Sequence, residues 1–158
     1  MNMKKIMMIA TALLLSLAAF AQDGKGIYEK YSGFDGVSGV YISPAMFRLM
    51  GRLPEMQLSG EDMDLASVMK SFNGLYLIDS EDERVNESLK ADVENAVRKG
   101  KYELLLETKD SGDIVRLYTL GEDIVKSFIF FTVSGRECTF ISIDGQIRME
   151  DLMKVVAK

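Results

Sequence analysis

The sequence predicts an α+β domain, a mostly antiparallel sheet with helices packed mainly on one face. Three observations predict it. Between Tyr102 and Asp144 four strand-like runs follow one another, YELLLETK, DIVRLYTL, IVKSFIFFTV and ECTFISID, separated by DSG, GED and SGR. Turns that short can join only antiparallel neighbours, because a parallel return takes a crossover of a dozen residues or more. Upstream, Val85, Leu89, Val93, Ala96 and Val97 recur at steps of three and four, with charged residues between them. That is the single apolar stripe of a helix lying on a core. The third strand of the run, finally, is apolar on both faces and needs cover on both, or a contact surface on one.

The elements follow in order. Lys4 and Lys5 precede an apolar run from Ile6 to Ala18, and Ala19-Phe20-Ala21 has the small-x-small pattern that signal peptidase cuts. Thirteen residues at 1.5 Å each cover about 20 Å, well short of a bilayer core of roughly 30 Å. The expectation is a signal peptide over residues 1–21, cut between Ala21 and Gln22. Gln22, where a lipoprotein would carry Cys, argues against a lipid anchor. The remaining chain is expected to be periplasmic or secreted, with no membrane insertion after cleavage.

Residues 22–39 hold five of the thirteen glycines and predict a loop or loose arm, with Ile27, Tyr28, Tyr31 and Phe34 able to dock. A phosphate loop is disfavoured, since Gly39 leads into Val40-Tyr41-Ile42, a short strand, where Gly-Lys-Ser/Thr and a helix would be needed. Residues 40–158 then read as one α+β domain. Ser43-Pro44 starts a helix that Gly51 stops. A second helix, begun by Ser59 or Asp62, carries Met63, Ala66, Val68, Met69 and Phe72 on its buried side. Leu75–Ile78 is a short buried strand. Ser80-x-x-Glu83 reads as a capping box opening the long helix, which spans Glu81–Lys99. In the first strand of the meander Tyr102, Leu104, Leu106 and Thr108 alternate with Glu103, Leu105, Glu107 and Lys109, predicting one buried face and one wet face. Asp144-Gly145 should turn the chain into a closing helix, whose Met149, Leu152, Met153 and Val156 form one buried stripe alongside the long helix.

Composition removes whole classes of function. The chain has 158 residues and no histidine, so Ser-His-Asp and Cys-His catalysis and His-based zinc sites are excluded. Cys138 is the single cysteine, which excludes an intrachain disulfide and reads as a small buried hydrophobe. Without the leader, seventeen basic residues face twenty-four acidic ones, a net charge of −7. That balance disfavours nucleic acid and anionic membranes as partners. The densest acidic group, Asp79, Glu81, Asp82 and Glu83, lacks the glycine and spacing of a calcium loop and reads as the complement of a helix N-terminus. Glu61, Asp62 and Asp64 read the same way. Met63, Met69, Met149 and Met153 read as core filler. No catalytic, cofactor or metal residues are assigned, and no cofactor is expected. Phe128 and Phe130 are the candidate interaction surface.

The stretch YSGFDGVSGVYISPAMFRLM and the closing IDGQIRMEDLMKVV resemble a family of small exported Bacteroidetes proteins known as a domain of unknown function, DUF4252. Val40–Ser43, Gly145, Ile147 and Leu152 carry the resemblance. It implies an exported α+β domain, a regulatory or envelope-stress role, and no catalytic residues. The expectation is a non-enzymatic protein-interaction or regulatory module of the envelope, whose partner is another envelope protein or a second copy of itself. The alternative is a small-ligand binder or carboxylate-based hydrolase with its site between sheet and helices.

Overall fold

The computed structural model describes residues 2–9, 24–52 and 68–156. The expected cleavage site and the residues Glu61, Asp62, Met63 and Asp64 lie outside them. The elements are α1 (Gly24–Tyr31), β1 (Val37–Ile42), α2 (Pro44–Arg52), β2 (Phe72–Ser80), α3 (Glu83–Lys99), β3 (Glu103–Asp110), β4 (Asp113–Leu120), β5 (Ile124–Ser134), β6 (Glu137–Arg148) and α4 (Met149–Val156). Residues 3–9 and 68–70 are also helical.

The strands form one six-stranded sheet in the order β1-β2-β6-β5-β4-β3, with every neighbouring pair antiparallel. The fold is α+β, and β3–β6 are the meander the turn residues predicted. Its first hairpin turns through Ser111 and Gly112, both at positive φ (51° and 96°). Two successive left-handed residues match the twist of the flanking strands. At Gly121 (φ 107°) a Cβ would meet the Ile124 carbonyl oxygen at 2.1 Å, so only glycine fits.

One face of the sheet carries α1 and α3. Tyr118, Ile129, Phe131, Cys138, Phe140 and Ile78 rise from four adjacent strands to meet Ile27 and Tyr31 of α1 and Leu89, Val93 and Ala96 of α3. The Tyr31 hydroxyl donates to Asp92 Oδ2 at 2.6 Å, and Lys30 Nζ lies 2.6 Å from the same oxygen, pinning α1 to α3. Arg116 does the same for the far edge. Its Nε is 2.8 Å from Glu107 of β3, and a second guanidinium nitrogen is 3.4 Å from Glu94 of α3. A smaller core of Val68, Val125 and Ile147, joined by Phe72, Phe128 and Leu152, lies beyond the register shifts in β2, β5 and β6.

Several expectations are corrected. The glycine-containing arm is not loose: residues 24–31 are helical, with Ile27 and Tyr31 buried in the large core. Asp82, rather than Ser80, caps α3, accepting from Arg84 N at 2.9 Å, and the helix starts at Glu83. Ser80 is instead the fully buried end of β2, its hydroxyl accepting from Asp82 N. At Ser43 the expected cap is present, its hydroxyl accepting from Met46 N at 3.2 Å. Asp144-Gly145 does not turn the chain. β6 runs through it to Arg148, because the register shift against β5 absorbs the extra residue there and glycine leaves room for the Ser71 carbonyl, whose oxygen an added Cβ would meet at 2.4 Å. The closing helix joins the smaller core through Leu152, not the large core beside α3. Met149 and Met153 stay exposed, the latter at 60%. All eight residues of β3 are exposed, because it is an edge strand whose irregularity at Leu105 breaks the alternation.

Candidate functional site

Pairing register decides what the second face of the sheet presents. Val40 pairs with Leu77, Leu77 with Ile141, Ile141 with Phe130, Phe130 with Leu117 and Leu117 with Leu106. These six residues, one from each strand, form an unbroken apolar row from edge to edge. On the four inner strands the neighbouring Ile78, Phe140, Ile129, Phe131 and Tyr118 belong to the large core, so by the two-residue period of a strand the row points away from α1 and α3. None of the six belongs to either core. Val40 is 46% and Leu106 48% exposed at the two ends, and the four between are half-buried.

The rows on either side differ in character. Ile42, Leu75, Ile143, Phe128, Thr119 and Glu103 align next to it toward the smaller core. Ser38, Asp79, Thr139, Thr132, Val115 and Thr108 align on its other side. Asp79 and Glu103 are the charged residues in these three rows; Asp79 accepts from Thr139 Oγ1 at 2.7 Å, and Glu103 ends its row at the β3 edge. The face is therefore apolar in the middle and along one flank, and hydroxyl-rich along the other.

Of the two residues singled out in the sequence, Phe130 sits in the middle of the apolar row. Phe128 lies one row over and is half-buried, partly covered by the smaller core. Their neighbours Ile129 and Phe131 are buried under the helices at 0% and 1% exposure. Sequence reasoning missed Val40, Leu77, Ile141, Leu117 and Leu106. The signal was present in the runs VYI, LYLI and FISI, where alternate residues on both faces are bulky. What brings them into one line is register, which those runs do not encode.

The acidic group around residue 80 disperses. Asp79 is on the outer face, Asp82 caps α3, and Glu83 lies 3.7 Å from Arg136 across the surface. Among the described residues no three such side chains converge as metal ligands. The surface depressions there are lined by mixed charge, Glu81, Glu83, Arg84 and Arg136. Burial pushes the Cys138 thiol up to about 11, with the nearby Asp79 charge adding to it, so the reactive thiolate is suppressed. Burial, and then the bond to Asp92, raise Tyr31 above its ordinary value.

A six-stranded antiparallel sheet with α1 and α3 on one face, and on the other an apolar row flanked by the smaller core, defines an α+β sheet domain. Residues 31–155 match the model of the domain of unknown function DUF4252, and the chain belongs to that family. No curated protein and no solved structure matches it.

Proposed function

We propose that the chain is a non-catalytic protein-interaction module of the cell envelope, exported by its N-terminal leader, that docks an apolar protein surface on the outer face of its sheet. The observation that carries this is the apolar row from Val40 to Leu106. Contiguous exposed apolar surface beyond a few hundred Å² is uncommon on proteins that work alone. Covering a Phe or Leu side chain contributes about 1.5–3 kcal/mol, which is the driving force such a row offers a partner. The space between sheet and helices supports the same reading. A ligand or a facing carboxylate pair would have to sit there, and Ile27, Tyr31, Phe131 and Phe140 fill it.

The reading is tested by placing a photo-crosslinking phenylalanine analogue at position 130, on the outer face, or at position 87, on the exposed side of α3, in the producing cell. Adducts of higher mass are expected from position 130 and not from position 87. Adducts from neither, or equally from both, would show that the outer face is not a binding surface.

A further inference from the structure

The edge of the sheet at β1 is a surface distinct from its outer face. We propose that β1 accepts an extended segment of a partner protein, which joins the sheet as a further strand. This goes beyond the outer-face reading and does not depend on it. Hydrogen bonds along an antiparallel pair alternate, and the alternation decides which groups face the edge. The Gly36 carbonyl accepts from Glu81 N at 3.5 Å, so steps of two along the register give Ser38, Val40 and Ile42 the bonds to β2. Val37, Gly39 and Tyr41 therefore turn their N–H and C=O groups away from β2. The Val37 N–H agrees, donating outward to the Phe34 carbonyl at 3.2 Å. Gly39 and Tyr41 have no such partner among the described residues, and Ser38, Gly39, Val40 and Tyr41 are all exposed. Their donors and acceptors repeat about every 6.8 Å. Another extended backbone presents complementary groups at that spacing, which selects a polypeptide strand over an apolar surface or a lipid.

The two edges of the sheet are built differently. β3 carries Glu103, Glu107, Lys109 and Asp110, holds Glu107 2.8 Å from Arg116, and has an irregular register at Leu105. Charges and bulges are what keep an edge from recruiting another strand. β1, with the sequence VSGVYI, has no charge, no proline and an unbroken register. Side chains set what the added strand carries. Val40 ends the apolar row at 46% exposure on the outer face, so an apolar residue beside it continues that row. Toward the helices Tyr41 is 47% exposed and stacks on Tyr76 with ring centroids 5.1 Å apart. A β-branched or aromatic neighbour suits that ring. The partner is thus an extended, uncharged segment rich in β-branched and apolar residues.

Amide hydrogen exchange on the purified protein, read residue by residue by nuclear magnetic resonance, provides the test. The probe is a lysine-ended peptide of alternating valine and threonine. With it, the amides of Gly39 and Tyr41 should exchange at least tenfold more slowly, while those of β3 keep their rates. Proline separates the edge from the ladder. Tyr41→Pro removes a donor that faces the edge and spares the bonds to β2, so the variant should fold and lose the protection at Gly39. Tyr41→Val keeps the N–H and should keep the protection. In the producing cell, a photo-crosslinking residue at position 38 should form adducts that Tyr41→Pro abolishes and Tyr41→Val retains. No slowing at Gly39 and Tyr41, equal slowing on β3, or full protection of Gly39 in Tyr41→Pro would overturn the inference. An unfolded Tyr41→Pro would overturn it too, by showing that this N–H bonds to β2. So would adducts that are absent or that Tyr41→Pro leaves unchanged. Slowing that grows with protein concentration and needs no peptide would put a second copy on the edge and overturn a foreign strand.

Discussion

Cys138 lies on β6 beneath α3, with 1% of its surface exposed. Burial first, and the charge of Asp79 second, raise its thiol from an ordinary 9.0 to about 11. A folded-state value above the unfolded one means stability that is complete below pH 9 and lost as pH climbs toward 11. Two units correspond to about 2–3 kcal/mol. Unfolding free energy should therefore fall by about that amount between pH 9 and 11, and Cys138→Ala should flatten most of the slope in urea titrations at stepped pH. The residual slope belongs to Tyr31, whose raised value acts with the same sign above pH 10. A slope unchanged by Cys138→Ala would show the thiol to be solvated. That Cys138 is core was legible from a lone cysteine between polar neighbours on a strand. Tyr31 was not, since its burial depends on Asp92, sixty-one residues away.

Strand β5 separates the two faces within a few residues. Phe131 is enclosed by the large core, and Phe130 looks outward. Removing an enclosed Phe side chain costs about 3–5 kcal/mol through lost burial and the cavity left behind. Phe131→Ser should therefore lower the urea-unfolding free energy by at least about 3 kcal/mol, and Phe130→Ser by about 1 kcal/mol, both measured dilute enough to exclude association. Equal losses would make Phe130 ordinary core. The strands, the hairpin turns and α3 were legible because local patterning and long-range packing agree there. Helix α1 was not, because Gly24 and Gly26 disfavour a helix that exists by packing Ile27 and Tyr31 into the core. The run of β6 through Asp144-Gly145 was hidden for a related reason. A turn signal in the sequence serves here as the one residue small enough to sit against the Ser71 carbonyl.

At the scale of the whole molecule, strand order and register convert scattered apolar residues into one surface. The last strand, β6, lies between β2 and β5, so Leu77 and Phe130 meet on either side of Ile141 although fifty-three residues separate them in the chain. The meander alone reveals four strands of that row. The other two come from Val40 and Leu77, whose place beside β6 depends on a long-range pairing that turn residues do not report. The central claim is that this face is covered when the protein works. Hydroxyl-radical footprinting of its side chains tests that most directly, comparing intact producing cells with the purified protein at high dilution. Phe130, Leu117 and Leu77 should be oxidised in the dilute protein and protected severalfold in cells, while Tyr41 and Leu49, exposed elsewhere on the surface, react alike in both. Equal oxidation of Phe130, Leu117 and Leu77 in the two settings would contradict it.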